Sequence, residues 1–264
     1  DGRGRLRIEL EGPNCPLLAA PEELAELAGL MEAPMRLEDQ DGDHLTLIQQ
    51  EPLMAVAGIA ARKKDGETVS GDAGTYFKRG DGTLYVLLCD GMGSGPQANR
   101  ESSLALRLLE QFLQAGVETE HALVTLNSAL ALRGEEAGGF TTVDLLQVDL
   151  FTGDGVVFKL GAAPTYVRKG GTVRRISGAS LPAGLAAEER SAPDRFPIHL
   201  SPGDCVLLVS DGVTGTEDDS WLRERLVKFD QGSPKELARD LITHSPQGAT
   251  DDSTALVIRL EKRE

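Results

Sequence analysis

Leu84-Tyr85-Val86-Leu87-Leu88-Cys89-Asp90-Gly91 is an apolar run that ends on a carboxylate and a glycine. Without polar alternation, such a run suits a strand covered on both faces. The design recurs: Val206–Ser210 leads straight into Asp211-Gly212, and Asp251-Asp252 directly precedes the apolar strand Thr254–Leu260. Each arrangement sets a carboxylate at the end of a buried strand, on the rim of a sheet. A carboxylate there is costly to desolvate unless a cation pairs with it. No Lys or Arg lies close in sequence to Asp90 or Asp211. Acids gathered without basic partners point to hard cations held through oxygen. Asp72, in Ser70-Gly71-Asp72, is a fourth candidate acid, read as lying on a loop. An Asp-Gly after a strand is more often a plain turn, so the order and contexts together carry the reading.

The glycines fit it. Gly91 and Gly212 let the backbone approach an ion and offer a carbonyl. Gly91-Met92-Gly93-Ser94-Gly95-Pro96 resembles a phosphate cradle but lacks the Lys-Ser/Thr ending of a P-loop, which excludes nucleotide binding by that route. The histidines at 44, 121, 199 and 244 show no metal-ligand spacing. Ser94 and Ser210 lie near acids without an evident His partner, which argues against a serine nucleophile.

Outward from these motifs the chain is rich in hairpins. Short runs at Met54–Ala61, Thr142–Leu150, Gly155–Leu160, Thr165–Arg168 and Val173–Ile176 are separated by turn signals such as Gly153-Asp154-Gly155 and Gly170-Gly171. Helical patterns at Gln97–Gln114 and Glu120–Leu132, and again near Asp219–Phe229 and Pro234–His244, come in consecutive pairs. That pattern predicts antiparallel sheets flanked by helices, not a doubly wound parallel sheet. Residues 1–50 differ: a Pro-started helix over Pro21–Leu30, an acidic turn over Asp39–Asp43 and a strand over Leu45–Gln49 predict a small N-terminal appendage, with the main domain over 51–264.

The 264 residues carry a net charge of −15, and no basic face for a phosphate backbone is visible, so nucleic-acid binding is not expected. Three well-separated cysteines, Cys15, Cys89 and Cys205, suit a reducing cytoplasm rather than a disulfide framework. No run approaches the roughly 18 apolar residues of a membrane span. The start lacks an initiator Met and a signal core, so the expectation is a cytoplasmic fragment without membrane contact, with any membrane anchor of a longer parent lying elsewhere.

In order and spacing, Ser70-Gly71-Asp72, Cys89-Asp90-Gly91-Met92-Gly93-Ser94-Gly95-Pro96, Ser210-Asp211-Gly212-Val213 and Asp251-Asp252-Ser253-Thr254 resemble the bacterial, sporulation-type branch of the type 2C (PPM) metal-dependent protein phosphatases. Thr141-Thr142-Val143-Asp144-Leu145, Gly161-Ala162-Ala163-Pro164 and Leu181-Pro182-Ala183-Gly184 fit the same pattern, which spans roughly 53–262. The resemblance implies an α+β, four-layer αββα sandwich and two Mn²⁺ or Mg²⁺ ions. Asp90 would bridge both ions, with the Gly91 carbonyl, Asp211 and Asp251 as further ligands and Asp72 as an accessory ligand or water-positioner. Asp90 and Asp211 would be the catalytic pair, working through a metal-bridging water. The implied substrate is a phosphoserine or phosphothreonine on a protein of the anti-sigma-factor-antagonist type. Control would come from an upstream regulatory domain or from self-association, acting through the helix pair after Asp90. Eukaryotic members clamp the phosphate with an Arg shortly before the first acid; here Arg62, Lys63 and Lys64 stand at a different spacing, so the pattern names no clamp. A catalytically silent interaction module of the same fold is the competing reading.

Overall fold

The computed structural model describes residues 5–132, 139–185, 192–215, 218–230 and 232–263. The chain divides after Pro52 into two compact units. The first holds β1 (Arg7–Glu11), α1 (Pro21–Leu30), β2 (Met35–Asp41) and β3 (His44–Gln49). Its antiparallel sheet has the order β1-β3-β2. Met35, Leu45 and Leu47 form its core, with Ile8, Leu10, Leu24 and Leu27 packed against them. Helix α1 keeps the expected bounds, with Pro at its start and Glu22 and Glu23 in the first turn, where acids suit the helix dipole. The expected acidic turn is shorter than the sequence suggests. Asp39 and Asp41 pair with Thr46 and His44 as part of β2, and only Gly42 and Asp43 turn. Their acids occupy the exposed positions of the strand, which a polar composition disguises as a loop.

The second unit runs through β4 (Leu53–Arg62), β5 (Asp72–Lys78), β6 (Thr83–Gly91), α2 (Gly95–Gln114), α3 (Thr119–Ala131), β7 (Thr141–Asp149) and β8 (Asp154–Leu160). It continues with β9 (Thr165–Lys169), β10 (Thr172–Ile176), β11 (Asp194–His199), β12 (Cys205–Val209), the single turn α4 (Asp211–Thr214), α5 (Ser220–Lys228), α6 (Pro234–Thr243) and β13 (Ser253–Lys262). Two five-stranded antiparallel sheets form, in the orders β10-β9-β12-β13-β4 and β11-β8-β7-β6-β5.

The period-2 alternation of strands explains why β6 is apolar throughout. Leu84, Val86 and Leu88 face the opposite sheet, where they meet Val206, Leu208, Leu256 and Ile258. Tyr85, Leu87 and Cys89 face outward onto Ala105, Leu109 and Leu113 of α2 and Leu123 and Leu126 of α3. On the other side, Leu207, Val209, Ala255 and Val257 pack on Leu222 and Leu226 of α5 and Leu237 and Leu241 of α6. The result is the expected αββα sandwich, with a helix pair on each outer face. β5 and β11 escape the sequence reading because both are edge strands: β5 begins Asp72-Ala73-Gly74-Thr75, and β11 carries Pro197, which a strand tolerates at an edge.

One charged pair lies inside the sandwich. Asp144 of β7 and Lys159 of β8 are cross-strand partners, 1% and 0% exposed, with Nζ and Oδ2 2.9 Å apart. Thr165 of the opposite sheet donates to Asp144, and Lys159 donates to the Ala163 carbonyl, so the pair fastens one sheet to the other at the β8–β9 corner. Removing one partner of such a pair strands the other in low dielectric. Lys159→Met is expected to lower unfolding free energy by about 3–5 kcal/mol in urea titrations, and Asp144→Leu/Lys159→Met to recover most of that loss. Equal destabilisation in the single and double variants would contradict this.

Candidate metal centre

The alternation that buries Leu84, Val86 and Leu88 sets Asp90 on the same inner face, one step beyond the apolar core. Asp72 opens β5 and pairs directly with Asp90 in the ladder. Its expected loop position is therefore corrected: pairing to β6 makes it the first residue of an edge strand. Asp211 follows β12 through Ser210 and starts the α4 turn, and Asp251 precedes β13. These segments come from both sheets and meet at one rim. Asp90, Gly91, Asp211 and Asp251 all line a cleft of about 310 Å³, together with Lys64, Thr141, Thr142 and Asp252. Asp72 stands behind Asp90, 8% exposed.

Asp252 locks this rim. It is 3% exposed, and its carboxylate accepts from the backbone N–H of Lys64 at 2.9 Å and of Gly71 at 2.8 Å. Both ends of the loop before Asp72 are thus tied to the residue beside Asp251. Ser253 donates to the Gly212 carbonyl at 3.0 Å, which fixes the turn carrying Asp211. The two motif glycines are required by close approach. A Cβ at Gly91 would lie 2.1 Å from the Ala98 carbonyl oxygen of α2, and one at Gly212 would lie 1.9 Å from the Asp252 carbonyl oxygen.

The electrostatics follow from crowding. Burial first, then the charges of Asp72, Asp211 and Asp251, push the Asp90 carboxyl up to about 9. Burial likewise raises Asp72 to about 6; Ser210 and Thr254 offset part of this, and the charges of Asp252 and Asp211 add to it. Asp211 is also raised, first by loss of hydration and then by the charge of Asp251. Both Asp72 oxygens are buried and lack a hydrogen-bond partner, so the Ser210 and Thr254 hydroxyls lie near without satisfying them. Among the described residues no three His, Cys, Asp or Glu side chains already close on one point as an ion cage. The acids stand open around a shared cleft. Orphaned carboxylate oxygens and an all-oxygen donor set nevertheless fit hard divalent cations.

The other candidate groups do not line the cleft. His121, His199 and His244 are exposed and pair with Glu118, Asp154 and Asp240, and His44 lies against the Leu10 carbonyl. Ser94 donates to Glu67, and Ser210 accepts from the Thr254 N–H. Burial drives the Cys89 thiol far upward and the Cys205 thiol to about 12, as expected of structural thiols. The sequence reading quoted Asp252 within the Asp251-Asp252 motif without giving it a role, and set Lys64 aside because its spacing differs from that of the family's clamp. Their places in the cleft arise from tertiary folding.

The family model of stage II sporulation protein E (SpoIIE) matches residues 80–261. The chain belongs to this family. It is 30% identical over 213 residues to the stage II sporulation protein E of Priestia megaterium; the match covers 77% of this chain but only 36% of that protein. A solved structure of the PP2C phosphatase domain and a fragment of the regulatory domain of SpoIIE from Bacillus subtilis superposes with a TM-score of 0.78 at 25% identity, covering 99% of this chain and 80% of that one. RsbX, solved in complex with magnesium, shares the fold at a TM-score of 0.64 and 18% identity, covering 86% of this chain and 100% of that one. By family and fold, the sandwich of this SpoIIE-family chain is similar to the PP2C phosphatase domain of SpoIIE.

The raised carboxyl groups bear on stability. A carboxyl whose folded pKa exceeds its unfolded value near 3.9 binds protons more tightly when folded. Its contribution is full below the unfolded value and is lost as pH rises through the folded one. The metal-free protein is therefore expected to lose Tm as pH rises from about 4 towards 9, across the span set by Asp72 and Asp90. Asp90→Asn should flatten that slope. A metal-free Tm that climbs steadily over this range would contradict it.

Proposed function

We propose that this SpoIIE-family domain hydrolyses phosphoserine or phosphothreonine on a protein of the anti-sigma-factor-antagonist type. The observation that carries the reading is the convergence of Asp72, Asp90, Asp211 and Asp251 at one rim, with no Lys or Arg among the described residues in an ion pair with any of them. Asp90, the Gly91 carbonyl, Asp211 and Asp251 would hold two Mn²⁺ or Mg²⁺ ions, with Asp72 as accessory ligand or water-positioner. When bound, the ions would supply an activated water and neutralise charge on the phosphoryl oxygens. The chain's own part is to preorganise the site. Asp90 is fixed by ladder pairing on both sides, to Asp72 and to Thr142. Asp211 is fixed by the α4 turn and Ser253, and Asp251 by its hydrogen bond from the Asp252 N–H at 2.9 Å. Preorganised carboxylates need little rearrangement as charge shifts in the transition state.

Residues 1–50 are proposed as the end of an upstream regulatory segment. The support is that the SpoIIE structure carrying part of its regulatory domain covers 99% of this chain. Control through such a segment or through self-association is part of the same proposal.

The test is hydrolysis of p-nitrophenyl phosphate and of a phosphoserine peptide, with Mn²⁺ and after exhaustive chelation. Activity is expected only with metal, and Asp90→Asn or Asp211→Asn should each lower kcat by about two to four orders of magnitude while the fold persists. Turnover that survives chelation, or near-normal kcat in either variant, would overturn the proposal.

A further inference from the structure

The walls of the cleft differ. On one side stands Lys64, the one Lys or Arg among the described residues that lines the cleft. Its backbone is held by Asp252, while Lys63 beside it turns away to the Glu67 carbonyl. Among the described residues the Lys64 ammonium has no carboxylate partner within ion-pair distance, although the chain carries 42 acidic residues against 27 basic ones. An unpaired ammonium at the edge of the cleft is suited to an anionic ligand. A phosphoryl group is such a ligand.

Another part of the lining is apolar. It is made by Met92, Phe140 and Pro182. Met92 is 57% exposed, and Leu181, next to Pro182, is 42% exposed. This wall is built, not loose. Met92 N–H donates to the Phe140 carbonyl at 3.4 Å, Thr141 and Ala183 exchange backbone hydrogen bonds, and Pro182 packs against Gly161, where a Cβ would lie 2.5 Å from its ring. Apolar side chains held open to solvent at the lip of a reaction cleft make a docking surface continuous with the site of chemistry.

We propose that the two walls read the substrate. Lys64 takes a phosphoryl oxygen, and the Met92–Phe140–Pro182 wall takes an apolar side chain next to the phosphorylated residue. The preferred substrate is then a protein segment with a large aliphatic residue beside its phosphoserine or phosphothreonine. Lys64 is a binding residue, and the apolar wall sets specificity. The inference rests on the cleft being a phosphoprotein site, as proposed above.

The experiment uses fluorescein-labelled octapeptides carrying a non-hydrolysable phosphonate analogue of phosphoserine, flanked by leucine or by serine. Their binding to the full chain in Mn²⁺ is followed by anisotropy. Wild type should bind the leucine-flanked peptide about tenfold more tightly, as expected for one well-buried aliphatic side chain. Phe140→Ala should erase that preference and leave the serine-flanked peptide unchanged. Lys64→Ala should weaken both peptides by about tenfold or more, and Lys64→Arg should restore them. The inference is overturned by equal affinity of wild type for the two peptides, by a preference that survives Phe140→Ala, or by affinity indifferent to Lys64→Ala. Hydrolysis of the matching phosphoserine peptides separates the two levels. Turnover without flank preference overturns only the inference, whereas absence of metal-dependent turnover overturns the proposed function.

Discussion

Four carboxylates meet at the rim of this sandwich, Asp72 buried and Asp90 half-buried, and no Lys or Arg among the described residues is in an ion pair with any of them. Asp72 and Asp90 are adjacent in the β5–β6 ladder, and Asp211 and Asp251 arrive from the facing sheet. Ladder pairing and sheet packing fix the backbone positions of these acids around the shared cleft. The conflict is resolved either by protons, which is why burial and mutual charge hold Asp90 and Asp72 far above the ordinary carboxylate range, or by cations. Proteins keep such costly clusters where chemistry uses them. Much of the surrounding structure serves to hold the cluster in place. Asp252 ties down the loop before Asp72, Ser253 ties down the Asp211 turn, and Gly91 admits α2 to within contact of β6.

The same sandwich explains the shape of the cleft. Its floor is made from strand ends, and its walls come from the connections that leave them: the β4–β5 loop with Lys64, the β6–α2 loop with Met92, and the segments around Phe140 and Pro182. A rigid rim therefore carries the acids, while connecting segments carry the residues that would face a protein substrate. Loops set on a rigid scaffold are where specificity commonly resides. The buried Asp144–Lys159 pair lies on the inner face, next to the core that backs this floor, and braces the β8–β9 corner from within.

How much was legible in the sequence depended on burial. β6, β12 and β13 are covered on both faces, so their unbroken apolar runs announce them, and the aspartates at their ends could be singled out from spacing alone. Helix α1 was readable to the residue because Pro21 and its acidic first turn mark the start. β5 and β11 were not, because an edge strand needs only one apolar face and tolerates glycine or proline within it. That is also why Asp72 looked like a loop residue. Asp252 was visible as part of the Asp251-Asp252 motif and Lys64 as a basic residue before the first acid, but not the contact that joins them, because Lys64 N–H and the Asp252 carboxylate are 188 positions apart in the chain. The charges of Asp144 and Lys159 carried no sign of their pairing, because a cross-strand partner is set by register, which sequence shows only through its turns.

If the rim is a cation site whose acids are partly protonated without metal, cations must displace protons as they bind. Calorimetric titration of the metal-free protein with Mn²⁺ at pH 7, repeated in buffers of different ionisation enthalpy, measures that exchange directly. Saturable binding with net proton release is the expected result, the proton coming chiefly from Asp90, whose folded pKa lies near 9, and the release should disappear in Asp90→Asn. Absence of saturable Mn²⁺ binding, or binding whose heat is the same in every buffer, would contradict the assignment of the four acids to a metal centre.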